Sequence, residues 1–357
     1  SVEIAATEQT KSFYRGKRVF LTGHTGFKGT WLSLLLLEAG AELTGYALTP
    51  QDEPSLFSLL HLDKEMHSVL GDVRDFAALK RAFDEAKPEI VLHLAAQPLV
   101  RESYRAPVET FDTNVMGTVH LLECVRQSNV VRSLVNVTTD KVYRNNETND
   151  AFRESDPLGG YDPYSSSKAC SEIVTESYQN SFLRASGVAV STARAGNVIG
   201  GGDFARDRIL PDCIRAAYRK EPIVVRNPNS IRPYQHVLDP LDAYLTIARR
   251  QYEAPAVADH YNIGPDMEDC VTTGTLTTLF CDAWGEGQRW EHRPDGGPHE
   301  ATFLRLNCEK IAERLGWTPC WHIAEAVSNT VDWAKAYRDG ADLRACMLEQ
   351  VRAFDRA

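Results

Sequence analysis

Short, almost continuous apolar runs alternate with amphipathic stretches along the first half of the chain. Val19-Phe20-Leu21, Leu43-Thr44-Gly45-Tyr46-Ala47-Leu48, Ser68-Val69-Leu70, Ile90-Val91-Leu92, Leu134-Val135-Asn136-Val137 and Val188-Ala189-Val190 have the length of strands. Runs with so little polar alternation suit parallel strands covered on both faces rather than half-exposed antiparallel ones. Stretches of helical length separate them, predicting helices over about 30–39, 76–86 and 109–125, and from the 161–168 stretch through Val174. Gly40 follows the first of these, where a left-handed backbone ends a helix. This βα alternation predicts an α/β protein with a doubly wound parallel sheet. Past Tyr261-Asn262-Ile263-Gly264 a smaller C-terminal domain is expected, closing on two helices.

Composition narrows the class of partner. The chain has 357 residues, 43% apolar and 25% charged, as in a soluble globular protein. A formal charge of −10 and a pI near 5.5 argue against a nucleic-acid surface or a polybasic membrane patch. The longest apolar run, 31–37, is too short to span a bilayer. Eight scattered cysteines, with no C-x-x-C pair and no zinc-type spacing to histidine, read as the reduced thiols of a cytoplasmic protein without a metal. Residues 1–15 lack a signal-peptide core and read as a polar lead-in to the fold.

The chemistry gathers where strands should end, the edge at which open parallel sheets bind ligands. After the first strand stands Gly23-His24-Thr25-Gly26-Phe27-Lys28-Gly29, then a helix. In the order strand, turn, helix, such glycines let backbone N–H groups approach a diphosphate at the positive helix N-terminus. The spacing G-x-x-G-x-x-G departs from the commoner G-x-G-x-x-G. The second strand ends in Thr49-Pro50-Gln51-Asp52, with no Lys or Arg before Lys64 to meet a 2′-phosphate, which favours NAD over NADP. Asp72, after the third strand, either faces the adenine end of a cofactor or caps the next helix, with Asp75 the better cap. Ala95 and Ala96 end the fourth strand, where small side chains admit either a nucleotide or close helix packing. Asn114 falls inside a helix at a small propensity cost, which suggests that it holds backbone or water near a site.

The fifth strand ends in Thr138-Thr139-Asp140-Lys141, a polar group that packing alone does not require. Tyr164 and Lys168, four apart, share one helical face. A free phenol of pKa about 10 is a poor base at neutral pH, and an adjacent ammonium favours its phenolate.

Together these motifs resemble the extended short-chain dehydrogenases/reductases with a Rossmann domain. Within that family the chain is most similar to the nucleotide-sugar 4,6-dehydratases, the CDP-glucose branch in particular. The resemblance implies NAD bound by Gly23, His24, Thr25, Gly26, Phe27, Gly29, Asp72, Val73, Leu94, Ala95, Ala96, Gln97, Thr138, Tyr164 and Lys168. It implies C4 oxidation of CDP-glucose by Tyr164, aided by Thr139 and Lys168, then loss of water across C5–C6 with Asp140 as acid, and hydride return to C6. The product is CDP-4-keto-6-deoxy-D-glucose, an early step toward dideoxysugars of bacterial surface polysaccharide. Lys141 stands where dTDP-glucose relatives carry a glutamate that serves as the C5 base. It is either that base or a residue that balances Asp140 or orients the hexose. Asn197, Arg208, Arg232 and His299 are implied substrate contacts, and Ala301 and Thr302 replace an arginine of the dTDP enzymes. The implied division is an NAD-binding part over 16–196 with a returning segment near 233–263, and a nucleotide-sugar part over 197–232 and 264–357. By analogy the protein is a homodimer. Two other readings stay open: a nucleotide-sugar C4 epimerase, which has no use for an acid at Asp140, and a non-catalytic NAD-sensing protein, which has no need of Tyr164 and Lys168.

Overall fold

A computed structural model describes residues 6–50, 53–145, 150–294 and 303–356. Six strands follow one another as β1 (Arg18–Thr22), β2 (Glu42–Ala47), β3 (His67–Leu70), β4 (Ile90–His93), β5 (Ser133–Val137) and β6 (Ala189–Ala195), and His260–Ile263 adds a seventh. The spatial order is His260–Ile263, β6, β5, β4, β1, β2, β3, and every pairing is parallel. Thr22 lies level with His93 on one side and Tyr46 on the other. The chain order reverses beside β1, which opens a crevice at the carboxyl ends of β1 and β4.

Burial explains the apolar runs. Every residue of β4, β5 and β6 is buried. On one face Trp31, Leu32, Leu34 and Leu36 of the helix Phe27–Glu38 join Leu241, Tyr244 and Ile247 of the helix Leu238–Glu253. On the other, Phe20, Phe83, Leu121, Leu122, Val125 and Leu183 form a second core. A third core sits between the helices Ile209–Tyr218, Thr273–Trp284 and Ile323–Arg338, where Leu210, Cys213, Phe280, Trp284, Val327 and Val331 meet. Three two-stranded ladders accompany this last part. They pair Val198–Ile199 with Gln235–His236, Ile231–Arg232 with Val271–Thr272, and Ile223–Val225 with Trp290–His292. The crossing from the sheet passes Gly201, whose carbonyl accepts from Trp31 Nε1 at 2.9 Å. A Cβ there would lie 1.9 Å from the Trp333 ring, so only glycine lets this segment run between the two indoles.

Several expectations need correction. The first helix starts at Phe27, three residues early, because Gly26 already provides an extended N-cap; it stops at Glu38, and Gly40 takes the left-handed φ of 78°. The lead-in is not merely polar: Ala6–Tyr14 is a helix. Its Tyr14 is fully buried and donates to the Leu245 carbonyl at 2.8 Å, and Lys11 pairs with Asp355. The helix expected over 109–125 is three pieces: Pro107–Phe111, a π turn over Asp112–Met116, and Gly117–Arg126. The strand His260–Ile263 was legible only as a boundary, since its polar His260 and Asn262 mask a run that is otherwise Tyr261 and Ile263. Among the described residues no helix is long and apolar enough to cross a membrane.

Candidate active site

The crevice begins at the glycine turn. Gly23 has a left-handed φ of 80°, and a Cβ on it would stand 2.8 Å from the Ala95 nitrogen. On Gly29 a Cβ would fall 2.0 Å from the Gly23 carbonyl oxygen, so turn, helix and β4 close on one another only through glycine. Gly26 offers no side chain to cap the helix, and the first backbone N–H groups of Phe27–Glu38 are left for a ligand. Thr25 ties the turn to the Leu48 carbonyl at 2.9 Å. The His24 side chain is committed elsewhere: it packs under Gly45, its Nε2 is 2.7 Å from Ser68 Oγ, and burial pulls its pKa down to about 4. Only its backbone faces the turn. This cradle fits a dinucleotide diphosphate, as the dehydrogenase resemblance requires.

The adjoining strand ends line the rest of the crevice. Leu94 and Ala95 donate their N–H groups to Thr22 Oγ1 at 3.2 Å each. Asn114 lies in the π turn, buried, and its Oδ1 accepts from the Gln97 N–H at 2.8 Å. Its Nδ2 donates to the Gln97 carbonyl at 3.1 Å and to Ser167 Oγ at 2.8 Å. Asn114 thus pins the end of β4 to the residue before Lys168. Asp72 does not cap the helix; Asp75 does, accepting from the Ala78 N–H at 3.0 Å. Arg74 grips the Asp72 carboxylate through Nε and Nη2 at 2.9 and 2.6 Å, which holds that carboxyl below the usual range. Val73 is buried against Gly117.

Beyond β5, Thr139 caps a short turn, Asp140–Val142. Asp140 is buried; its Oδ1 accepts from Thr139 Oγ1 at 3.0 Å and from Lys141 Nζ at 3.2 Å, and its buried Oδ2 has no partner. Facing it is the helix Pro163–Tyr178, capped by Asp162, whose Oδ1 accepts from the Ser165 N–H at 2.9 Å. The buried Tyr164 hydroxyl hydrogen-bonds Thr139, and Lys168 Nζ donates to the Val137 carbonyl at 2.9 Å. Burial pushes Tyr164 up to about 12, against the opposing pull of the Thr139 hydrogen bond, and draws Lys168 down to about 8 despite the Glu172 charge. Strand end and helix therefore bring Thr139, Asp140, Lys141, Tyr164 and Lys168 together.

On the substrate side, Lys141 Nζ also reaches Asn197 Oδ1 at 3.4 Å. Arg208 stands just before the helix Ile209–Tyr218 without capping it through its side chain, and donates from Nη1 to Asp203 Oδ2 at 3.1 Å. Arg232 is buried, with Nη1 on the Ile231 carbonyl at 2.9 Å. His299, Ala301 and Thr302 lie outside the described residues.

Three residues of the site went unnoticed in the sequence. Lys28, between two expected cofactor contacts, is half-buried over the Tyr244 ring, 5.8 Å from its centroid. Burial, with the charges of Lys168 and Arg208, pulls Lys28 down to about 7. Tyr244 is fully buried and its hydroxyl has no partner. A lysine inside a glycine turn was the available signal. Glu172, one turn past Lys168, is the third.

Comparison with known proteins identifies the family. Residues 20–330 match the model of the family described as GDP-mannose 4,6 dehydratase. The chain is 47% identical over 350 residues to a CDP-glucose 4,6-dehydratase of Salmonella typhimurium, covering 96% of this chain and 98% of that one. Its fold is similar to that of DesIV, a dTDP-glucose 4,6-dehydratase of Streptomyces venezuelae solved with NAD, at a TM-score of 0.78 and 24% identity, covering 92% of this chain and 99% of that one. It is also similar to a Thermus thermophilus UDP-glucose 4-epimerase solved with NAD, at a TM-score of 0.76 and 26% identity over 89% of this chain and 99% of the other. The chain belongs to the GDP-mannose 4,6 dehydratase family, within the extended short-chain dehydrogenases/reductases.

Proposed function

We propose that this protein is an NAD-dependent CDP-glucose 4,6-dehydratase, and the observation that carries the reading is the buried, partnerless Asp140 Oδ2 beside Tyr164 and Thr139. The 47% identity to a CDP-glucose 4,6-dehydratase supports the choice of nucleotide sugar. NAD, held by the glycine turn and Lys168, would accept hydride from C4 of the hexose and give it back at C6, so no outside oxidant is consumed. Tyr164 takes the proton of the C4 hydroxyl while Thr139 hydrogen-bonds that oxygen. The new ketone acidifies C5–H, and water leaves as Asp140 gives a proton to the C6 hydroxyl. An epimerase needs no acid there.

Lys141 is the C5 base in this reading. Its ammonium already touches Asp140 Oδ1 at 3.2 Å, so one proton passed between them creates the acid and the free amine together. The 16–196 part with the 233–263 return serves the cofactor, and 197–232 with 264–357 serves the nucleotide sugar through Asn197, Arg208, Arg232 and His299. The setting is cytoplasmic, in the supply of deoxysugars to surface polysaccharide. Incubation with CDP-glucose and NAD should yield a 4-keto-6-deoxy product, visible by its ultraviolet absorbance in alkali, faster than with dTDP-, UDP- or GDP-glucose. CDP-galactose as the product would replace this reading by epimerisation.

A homodimer belongs to the same proposal. Val108, Phe111 and Met116 on one set of helices and Ile173 and Phe182 on the neighbouring one are exposed, with Val108 82% accessible. Neighbouring helices that show this much apolar surface suit a second copy of the chain. Val108→Asp with Ile173→Asp should turn a dimer into a monomer in sedimentation velocity; an unchanged dimer would move the interface elsewhere.

A further inference from the structure

Glu172 stands one helical turn beyond Lys168 and two beyond Tyr164, on the same face of Pro163–Tyr178. It is a fully enclosed carboxylate with an unusual set of donors. Oε1 accepts from Thr138 Oγ1, one residue before Thr139. Oε2 accepts from Thr192 Oγ1 at 2.7 Å and from Arg194 Nη2 at 3.0 Å, and lies 3.2 Å from His260 Nδ1. Arg194 is itself buried and extends the group to the Tyr143 hydroxyl at 2.9 Å and the Glu154 carbonyl at 3.1 Å. One carboxylate thus gathers side chains from the residue after β5, from β6 and from the seventh strand onto the helix that carries Tyr164 and Lys168.

A buried ion pair contributes little net stability over a well-packed apolar alternative, because desolvation offsets the attraction. Its placement here is explained better by what it holds. We propose that Glu172 is the positioning residue of this site, fixing the helix that carries Tyr164 and Lys168 and the strand end 138–140 against each other. The inference rests on the functional reading only for what those two groups then do. The groups facing Glu172 are Arg194, His260 and Tyr143 from the sheet side and Lys168 on its own helix, while Lys28 and His93 face Lys168. Burial alone would raise the Glu172 carboxyl; His260 and Arg194 outweigh it and hold it at about 2, so it stays charged throughout the working range. That charge opposes the desolvation of Lys168.

The test is an NMR titration of lysine side-chain carbons in the full protein, with the Lys168 resonance identified by its loss in Lys168→Met. Lys168 should titrate near 8 in the parent. In Glu172→Gln its acid dissociation should strengthen about tenfold or more, while Glu172→Asp should titrate like the parent. Since Glu172→Gln strands a buried arginine, Glu172→Gln with Arg194→Gln removes both charges and should show the same displacement of Lys168. A folded variant of either kind with an unmoved Lys168 would overturn the proposal. A second arm leaves the charges alone: Thr138→Val, read on protein shown to be folded, should lower kcat on CDP-glucose about tenfold or more, and a parental kcat would equally overturn it. A parent that turns over no nucleotide hexose would end the functional reading, and the Lys168 titration would still decide Glu172.

Discussion

Asp140→Asn is expected to oxidise the sugar and then stop. The amide keeps the shape of the carboxyl, so Thr139 and Tyr164 stay in place, but it has no proton to give to the C6 hydroxyl. With CDP-glucose and NAD the variant should build up the NADH band. The alkali-sensitive 4-keto-6-deoxy product should form about 10²- to 10⁴-fold more slowly, the usual range for a lost general acid. Parental product formation would remove Asp140 from the mechanism and assign the acid to another group. Lys141 is affected by the same change, since its carboxylate partner at 3.2 Å is gone. Exchange of the C5 proton with solvent should therefore fall along with elimination.

Tyr164→Phe should block an earlier step. Neither NADH nor product should accumulate, and turnover should fall by about 10²- to 10⁴-fold. The pH dependence of the parent follows from the same side chains. Burial places the Tyr164 phenol at about 12, so the phenolate becomes easier to form as pH rises. Lys168, at about 8, loses its proton at the other end of the range. A base that must be unprotonated and a neighbour that must stay charged predict activity climbing through neutral pH and levelling off above about 8, where each gain in phenolate is matched by a loss of the ammonium. Full activity in Tyr164→Phe, or a flat profile, would assign the proton abstraction to another group.

What was legible in the sequence was what is local. Tyr164 and Lys168 share a face because the helix repeats every 3.6 residues, and Thr139 and Asp140 stand at a strand end because the apolar run stops there. Glu172 obeys the same helical spacing, yet a glutamate at that position reads as solvent-facing until Arg194 is brought beside it by the pairing of β5 with β6. Lys28 was hidden by the glycines around it, whose roles in a turn are familiar. Its own depends on the helix Leu238–Glu253, over two hundred residues further along the chain. The burial of Tyr14 likewise depends on that distant helix. The strand His260–Ile263 was obscured because two of its four residues are polar side chains with buried partners, among them Asn262 beneath the Tyr143 hydroxyl.

Asn114 was suspected for its propensity cost, but the backbone beneath it was not foreseen. A π turn holds one residue more than a regular helix would. Deleting one residue within 112–116 would let the helix run on evenly and would gain local stability. It would also swing Asn114 by about 100° around the helix axis, away from Gln97 and Ser167. Here selection for a sturdier helix and selection for a working crevice point in opposite directions, and a stabilising screen blind to turnover would discard the irregularity first.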